Sequence, residues 1–289
     1  MLEKDFINQV VNGYKILRIL GRGAFSTVYQ VHDKKTNQNR ALKMLNKAPG
    51  CDFAAKNEIK HLMSIKDHHI VHLHDFFLHA THVCLIMDAL SCNLLDVKAR
   101  YKAGLPENIM HRLIKDTLEG TMCLHNQSII HTDIKPENIL VENDRTPSKI
   151  NFKLCDLGSA CRKDRRHSGE IQTLNYRSPE IILHDKSYTE KIDIWSLACV
   201  YYEVLTGLYL FEPQKGDRCT LAEDHLNRIA TLLGNPVQRA DNLTALLLGK
   251  TTYVVLLAAM LNPDHKERPS AAICQEKLNT VYVPLINIG

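Results

Sequence analysis

Several classes of protein are excluded by what this sequence lacks. Its nine cysteines, at 51, 84, 92, 123, 155, 161, 199, 219 and 274, form no Cys-x-x-Cys pair and no tight framework. That argues against a disulfide scaffold and predicts reduced, mostly buried thiols in an intracellular protein, cytoplasmic or nuclear. Long apolar runs are missing too. The richest, Tyr253 to Leu261, is nine residues, well short of the ~20 needed to span a bilayer, and reads as a buried helix. Met1-Leu2-Glu3-Lys4-Asp5 carries acids and no apolar core of a signal peptide, so secretion is not expected. Charge of one sign is scarce: 36 basic against 32 acidic side chains leave +4, too little to announce direct nucleic-acid binding or a membrane surface. There is no internal repeat and no low-complexity segment. What remains is a 289-residue chain, 45% hydrophobic and 24% charged, an ordinary soluble composition with enough length for one or two full-sized cores.

Along the chain, Tyr14 to Leu20, Thr27 to His32 and Arg40 to Leu45 are short runs rich in Val, Ile and Leu, separated by turn residues. They predict an antiparallel meander. Phe53 to Ile65 has a helical period, and Ile70 to Phe77 and His82 to Met87 bring the expected sheet to five strands. After Leu90 the pattern turns helical, over Glu107 to His125, Thr189 to Leu205 and Leu221 to Leu233. An α+β protein with a small sheet-dominated lobe and a larger helical one follows, divided near Asp88 to Cys92.

One stretch organises the chemistry. His131-Thr132-Asp133-Ile134-Lys135-Pro136-Glu137-Asn138 puts a candidate base, a cation and a metal ligand within eight residues. Asp133 could accept a proton from an alcohol, Lys135 could neutralise a phosphate in flight, and Asn138 could hold a magnesium ion. Upstream, Gly21-x-Gly23-x-x-Ser26-x-Val28 lies between two strands. That placement argues against a dinucleotide fold, whose glycines open a helix; the pattern suits a hairpin laid over phosphates, or an ordinary hairpin with two glycines. In the next strand, Ala41-Leu42-Lys43 carries a lysine that could reach phosphates. Glu58, fifteen residues on, could hold it by an ion pair or simply face solvent. Asp156-Leu157-Gly158 follows the apolar Phe152 to Cys155, giving a second hard oxygen ligand for magnesium. Ser178-Pro179-Glu180 closes the segment and Asp193-Ile194-Trp195 opens the following helix.

In order and spacing these motifs resemble the eukaryotic protein kinases. The resemblance covers residues 14 to 280, leaving 1–13 as an extension and 281–289 as a tail. It implies the bilobal kinase fold, with an N-lobe over about 14–88, a hinge at 88–92 and a C-lobe from about 93. ATP would lie between the lobes with its adenine against Asp88, Ala89 and Leu90, and Met87 would guard the back pocket. Leu20, Gly21, Arg22, Gly23, Ala24, Phe25, Ser26, Thr27 and Val28, with Ala41, Lys43, Glu58 and Leu140, would complete the nucleotide site. Asn138 and Asp156 would bind magnesium. Asp133 and Lys135 would be catalytic, and Glu180 would pair with Arg268. The implied activity is a protein serine/threonine kinase acting on protein substrates, expected as a monomer.

The closer likeness is to the SR-protein kinases of the CMGC group. Ile129 to Leu140 is similar to their catalytic loop almost residue for residue, and Thr132, Leu157, Leu210-Phe211-Glu212-Pro213 and Glu223-Asp224-His225 point the same way. Arg/Ser-rich splicing factors become the implied substrates. With Thr132 where most kinases carry arginine, the loop lacks the usual cation for an activating phosphate. Glu170 stands where many relatives carry a phosphorylated tyrosine, so activity without an activation-loop phosphate is expected. The likeness has gaps. Only Val141 to Asn151 replaces the family's long spacer, and the three docking acids align with Leu208, Asp224 and Thr231. Thr220-Leu221-Ala222-Glu223 also reads as a helix capping box, so Asp224 admits either a helix-end or a docking role. Tyr176-Arg177-Ser178-Pro179-Glu180 suits the dual-specificity DYRK branch as an alternative, and a silent pseudokinase scaffold is a third reading, opposed by the presence of Lys43, Asp133, Asn138 and Asp156. His68, His69, His72, His74, His79 and His82 could meet a zinc ion in principle, but no cysteine or acid joins them at ligand spacing; His72 and His74 read as solvent-facing positions of a half-buried strand. Arg162, Lys163, Arg165 and Arg166 read as a solvated basic loop that could also welcome an acidic partner.

Overall fold

A computed structural model describes residues 6–23, 26–45, 51–165, 171–216, 219–247 and 251–281. The chain is α+β and divides into two compact units, Met1–Ser91 with Cys155–Ser159, and Cys92–Leu154 with Ala160–Gly289. Ala24, Phe25, Arg166, Glu170 and the tail from 282 lie outside the described residues.

The first unit is an antiparallel sheet with one helix. Its strands are β1 (Val10–Val11), β2 (Tyr14–Arg22), β3 (Ser26–Asp33), β4 (Gln38–Leu45), β5 (Leu73–His79) and β6 (His82–Asp88), with helix α1 (Cys51–Ser64) between β4 and β5. The order across the sheet is β1-β2-β3-β4-β6-β5. Alternation is clearest in β3, where Thr27, Tyr29, Val31 and Asp33 are the buried set, as a half-covered pleated strand requires. Val11, Tyr14, Ile16, Tyr29, Val31, Leu42, Met44, Cys84 and Ile86 form the core.

Six strands replace the five expected. The addition is β1, from the stretch read as an extension, which pairs Val10 with Lys15 and Val11 with Tyr14. Asn12 (φ 48°) and Gly13 (φ 87°) make this hairpin, because an Asn-Gly pair tolerates the two left-handed positions of a tight turn.

The second unit is mainly helical: β7 (Cys92–Asn93), α2 (Leu94–Arg100), α3 (Glu107–Asn126), β8 (Ile129–Ile130), β9 (Ile139–Glu142), β10 (Asn151–Leu154), β11 (Cys161–Arg162), α4 (Pro179–Ile182), α5 (Lys191–Thr206), α6 (Leu221–Leu233), α7 (Pro236–Leu246), α8 (Val254–Met260) and α9 (Ala271–Val281). Helix α5 is buried from Ile192 to Leu205, the signature of a helix enclosed on all sides. It stops at Gly207, whose φ of 83° lets its N–H reach the Glu203 carbonyl at 2.7 Å. Thr220 and Glu223 cap α6 reciprocally, fixing its start where the sequence placed it. Arg268 is fully buried, with a fork of bonds to Glu180 at 2.7 and 3.0 Å and its guanidinium 5.1 Å from the Trp195 ring. The buried charge is thereby paired and its donors met.

No disulfide joins the eight described cysteines; Cys84, Cys161, Cys199 and Cys274 are buried and the others half-buried. Burial pushes the Cys84 and Cys274 thiols up to about 12. Among the described residues no helix is long and apolar enough to cross a membrane.

His225 is fully buried against Phe211, rings 5.7 Å apart, and neither ring nitrogen has a hydrogen-bond partner. Burial, with the cations of Arg177 and Arg228, takes its pKa from 6.5 down to about 4. Between those values the unfolded chain carries the proton and the folded chain does not, so stability must fall as pH drops through this window. Urea unfolding at pH 7, 5.5 and 4.5 should show that slope in the parent and a shallower one in His225→Phe; equal slopes would contradict it.

Candidate active site

The first unit gathers one half of the predicted residues. Leu20, Gly21 and Arg22 lie at the end of β2, and Ser26, Thr27 and Val28 begin β3, with Gly21 opposite Val28 and Arg22 opposite Thr27. The Gly23 N–H bonds the Ser26 carbonyl at 2.8 Å. Among the described residues, a Cβ added at Gly21 would meet nothing within 4 Å, and one at Gly23 only the Ser26 carbonyl oxygen at 3.7 Å; neither backbone is left-handed. The fold itself therefore asks for glycine at neither place. Space of this kind fits a loop whose main chain must be approached closely from outside.

Ala41 and Met87 face each other across β4 and β6, both buried; Asp88 ends β6 and Leu90 follows it. Lys43 on β4 donates to Glu58 of α1 at 2.8 and 3.0 Å and to Asp156 at 2.8 Å. Burial alone would strip its proton, but the two carboxylates outweigh that and hold its pKa above the ordinary lysine range. Burial, with the Asp156 charge, lifts Glu58 above the ordinary carboxylate range against the pull of Lys43, whose ammonium donates to both of its oxygens. Asp156 has φ 63°, a left-handed position that aspartate tolerates better than most residues, and its side chain is 45% exposed, so an oxygen ligand is presented to solvent. A Cβ at Gly158 would stand 3.3 Å from that carboxylate. Asn57, next to Glu58, donates to the carbonyls of Gly158 at 3.1 Å and Leu157 at 3.4 Å, a support the sequence did not disclose.

The second unit gathers the other half. Asp133 Oδ1 accepts from Thr173 Oγ1 at 2.7 Å and from the Thr173 N–H at 3.2 Å, and Oδ2 takes Lys135 at 2.9 Å. Lys135 also donates to Thr173 Oγ1 at 3.0 Å. Asn138 Nδ2 donates to the Asp133 carbonyl at 2.8 Å, which turns the amide oxygen to the other side as a hard ligand of the kind magnesium prefers. Leu140 lies on β9, opposite Lys153 and Asn93.

Beneath this loop lies Asp193 of α5, fully buried. Its Oδ2 accepts from the His131 N–H at 2.9 Å and from His125 Nε2 at 2.9 Å, and its Oδ1 from the Thr132 N–H at 3.0 Å. Thr132 sits at φ 69°, a strained position for a β-branched residue that the anchoring bonds over-determine. Its carbonyl accepts the N–H of Gln172 at 3.0 Å, and Gln172, buried, bonds Ser178, Ser196 and the Ile192 carbonyl. Thr173 and Gln172 were not singled out from the sequence as site residues, since nothing local marks them.

Of the histidine cluster, His69 meets Asp67, His82 the Leu45 carbonyl and His74 Asp88. Asp224 accepts from Arg228 at 2.6 Å and the Gln214 N–H at 2.8 Å, so its charge is answered within its own helix and the preceding loop. Leu208 is exposed and Thr231 lies on α6.

A family model described as "Protein kinase domain" matches residues 14–283. The chain is 32% identical over 287 residues to a "Serine/threonine-protein kinase SRPK" of Physarum polycephalum, covering 77% of this chain and 67% of that protein. It is 38% identical over 218 residues to a "Probable serine/threonine-protein kinase dyrk2" of Dictyostelium discoideum, covering 73% and 23%. It is 34% identical over 213 residues to the "Dual specificity tyrosine-phosphorylation-regulated kinase 3" of Homo sapiens, covering 71% and 36%. The chain thus spans about a quarter of the Dictyostelium relative's length and about a third of the human one's.

Asp193→Ala would strand three donors. Each buried donor left without a partner costs about 1–3 kcal/mol, so a loss of at least about 3 kcal/mol is expected in urea unfolding; a loss under about 1 kcal/mol would show that Asp193 is not the anchor.

Proposed function

The chain belongs to the protein kinase family and, within it, to the serine/threonine kinases of the CMGC group, and we propose that it transfers the γ-phosphoryl of magnesium-bound ATP to serine and threonine hydroxyls of protein substrates. The observation that carries this reading is the Asp133 carboxylate, oriented by Thr173 and Lys135 at 2.7 and 2.9 Å. When bound, magnesium-ATP supplies the phosphoryl group and much of the charge neutralisation. The protein's part is positioning. Asp133 would take the proton of the attacking hydroxyl, Lys135 would stand against the phosphate charge, and Lys43, fixed by Glu58, would hold the nucleotide's phosphates. Asn138 and Asp156 would supply one oxygen ligand each to the metal.

The finer reading is an SR-protein-kinase-like enzyme, cytoplasmic or nuclear, with Arg/Ser-rich splicing factors as candidate substrates. Similarity to the Physarum protein and the Ile129 to Leu140 loop support it. The docking acids do not strengthen it, because Asp224 is already engaged by Arg228. The dual-specificity branch is the second reading, favoured by the similarity to the human relative of that name. Tyr176 cannot serve that reading as an accessible acceptor: it is buried, with its hydroxyl 2.7 Å from Glu203, and burial followed by Glu203 drives its pKa far up.

We further propose that activity needs no activation-loop phosphate, since Thr132 offers no cation and Gln172 fastens the segment through Ser178, Ser196 and the Ile192 carbonyl, with the Arg177 guanidinium on its own carbonyl.

A peptide array containing arginine-serine repeats, other serine and threonine peptides and tyrosine peptides tests the reading. Asp133→Asn should lower kcat by about a thousandfold, the scale of general-base catalysis. A parent no more active than this variant would favour a scaffold, and tyrosine phosphorylation would favour the dual-specificity branch. Phosphatase-treated parent should keep its full rate; loss of activity would refute phosphate independence.

A further inference from the structure

At the end of β6 the sheet departs from regular pairing. Leu73 faces Met87 across β5 and β6, but the next pair is Asp75 with Ile86, so His74 is an extra residue. Such a bulge bends the strand and re-aims one side chain, and β5 is an edge of the sheet, where one unpaired residue costs least. The extra residue has a target: His74, on the exposed side of the edge strand, places its Nε2 2.7 Å from Asp88 Oδ1. Asp88 is bound twice more to the same place, its N–H donating to the His72 carbonyl at 3.2 Å and its Oδ2 accepting the His72 N–H at 3.2 Å. Three bonds therefore fasten the last residue of β6 to the start of β5, one of them made by a residue that regular pairing would not supply.

From this geometry we infer that His74 is a positioning residue for nucleotide binding: acting through Asp88, it fixes residues 88–90 before the nucleotide arrives. The inference rests on the ATP-dependent reading above, in which the main chain of 88–90 receives the adenine. A segment already ordered loses less freedom on binding, and that saving appears as affinity. His74 need not be charged to do this. The groups facing it are Asp88 on β6, Arg40 on β4 and His72 ahead of β5; burial, with Arg40 and His72, holds its pKa below the ordinary histidine value against the pull of Asp88. A neutral ring with its proton on Nε2 still donates to the carboxylate, through a weaker bond than an imidazolium would make, so the clamp works at neutral pH.

The test is calorimetric titration of magnesium-ADP onto the full chain, with ATP kinetics beside it. His74→Leu should weaken magnesium-ADP binding and raise KM for ATP by about fivefold, the scale of one hydrogen bond to a charged group on a partly solvated surface, while kcat at saturating ATP stays within about twofold. His74→Gln, whose amide N–H can reach the same carboxylate, should restore both. In an Asp88→Ala background His74→Leu should have no further effect, because two residues acting through one contact are not additive. Should His74→Leu not fold, Asp88→Ala carries the test and must itself weaken binding by a similar factor. Unchanged affinity, additive effects, or a parallel fall in kcat, affinity and melting temperature that Gln does not restore would each overturn the inference. A parent that binds no magnesium-ADP would instead overturn the ATP-dependent reading, and this inference with it.

Discussion

A carboxylate taken out of water must be given donors by the protein, and the candidate residues of each unit are arranged around one that has been. In the second unit it is Asp193, whose two oxygens gather two main-chain N–H groups and a histidine and so decide the path of the chain through His131 and Thr132. In the first unit it is Glu58, buried on α1, which would be costly alone and is tolerated because Lys43 meets it with two bonds. Neither acid is exposed enough to react with a substrate. Their role is to make the positions of Asp133 and Lys43 a consequence of folding, so that the groups that would act need little rearrangement when ligands arrive.

The same logic runs outward from these two points. Asn57 and Glu58 are neighbours on α1, one holding the carbonyls after Asp156 and the other holding the lysine that bonds Asp156. In the second unit, Gln172 and Thr173 are also adjacent; the first is buried in a net of hydrogen bonds while the second touches Asp133. Each pair puts a structural residue beside one at the reacting groups, so packing is converted into orientation over a single peptide unit. Arg268, Glu180 and Trp195 play a comparable part deeper in the helical unit, where stacked aromatic rings and a paired guanidinium fill the space below α4.

How far the sequence discloses this depends on whether a signal is local. Helix α6 was legible to the residue because its capping box is written in four consecutive positions, and the lysine, glutamate and aspartates of the site were legible because their types and order are unusual together. Strand β1 was missed although Asn12-Gly13 is a hairpin signal, since two-residue strands carry no periodicity. Thr173, Gln172 and the anchoring role of Asp193 were not legible: their partners lie 40, 40 and some 60 residues away, and nothing in the neighbouring letters encodes that meeting. His74 was read correctly as an exposed position of β5; what alternation could not disclose is the register shift beside it and its bond to Asp88, fourteen residues away.

The open space beside Gly21 and Gly23 separates two demands that usually coincide. Most glycines are retained because the chain would be strained or crowded without them, so a substitution announces itself as poor folding. Here an added methyl group would crowd none of the described residues. Selection for a soluble, well-folded chain would let both positions drift, and only selection on whatever rests against the loop could preserve them; their persistence in a set of natural variants would be a record of use.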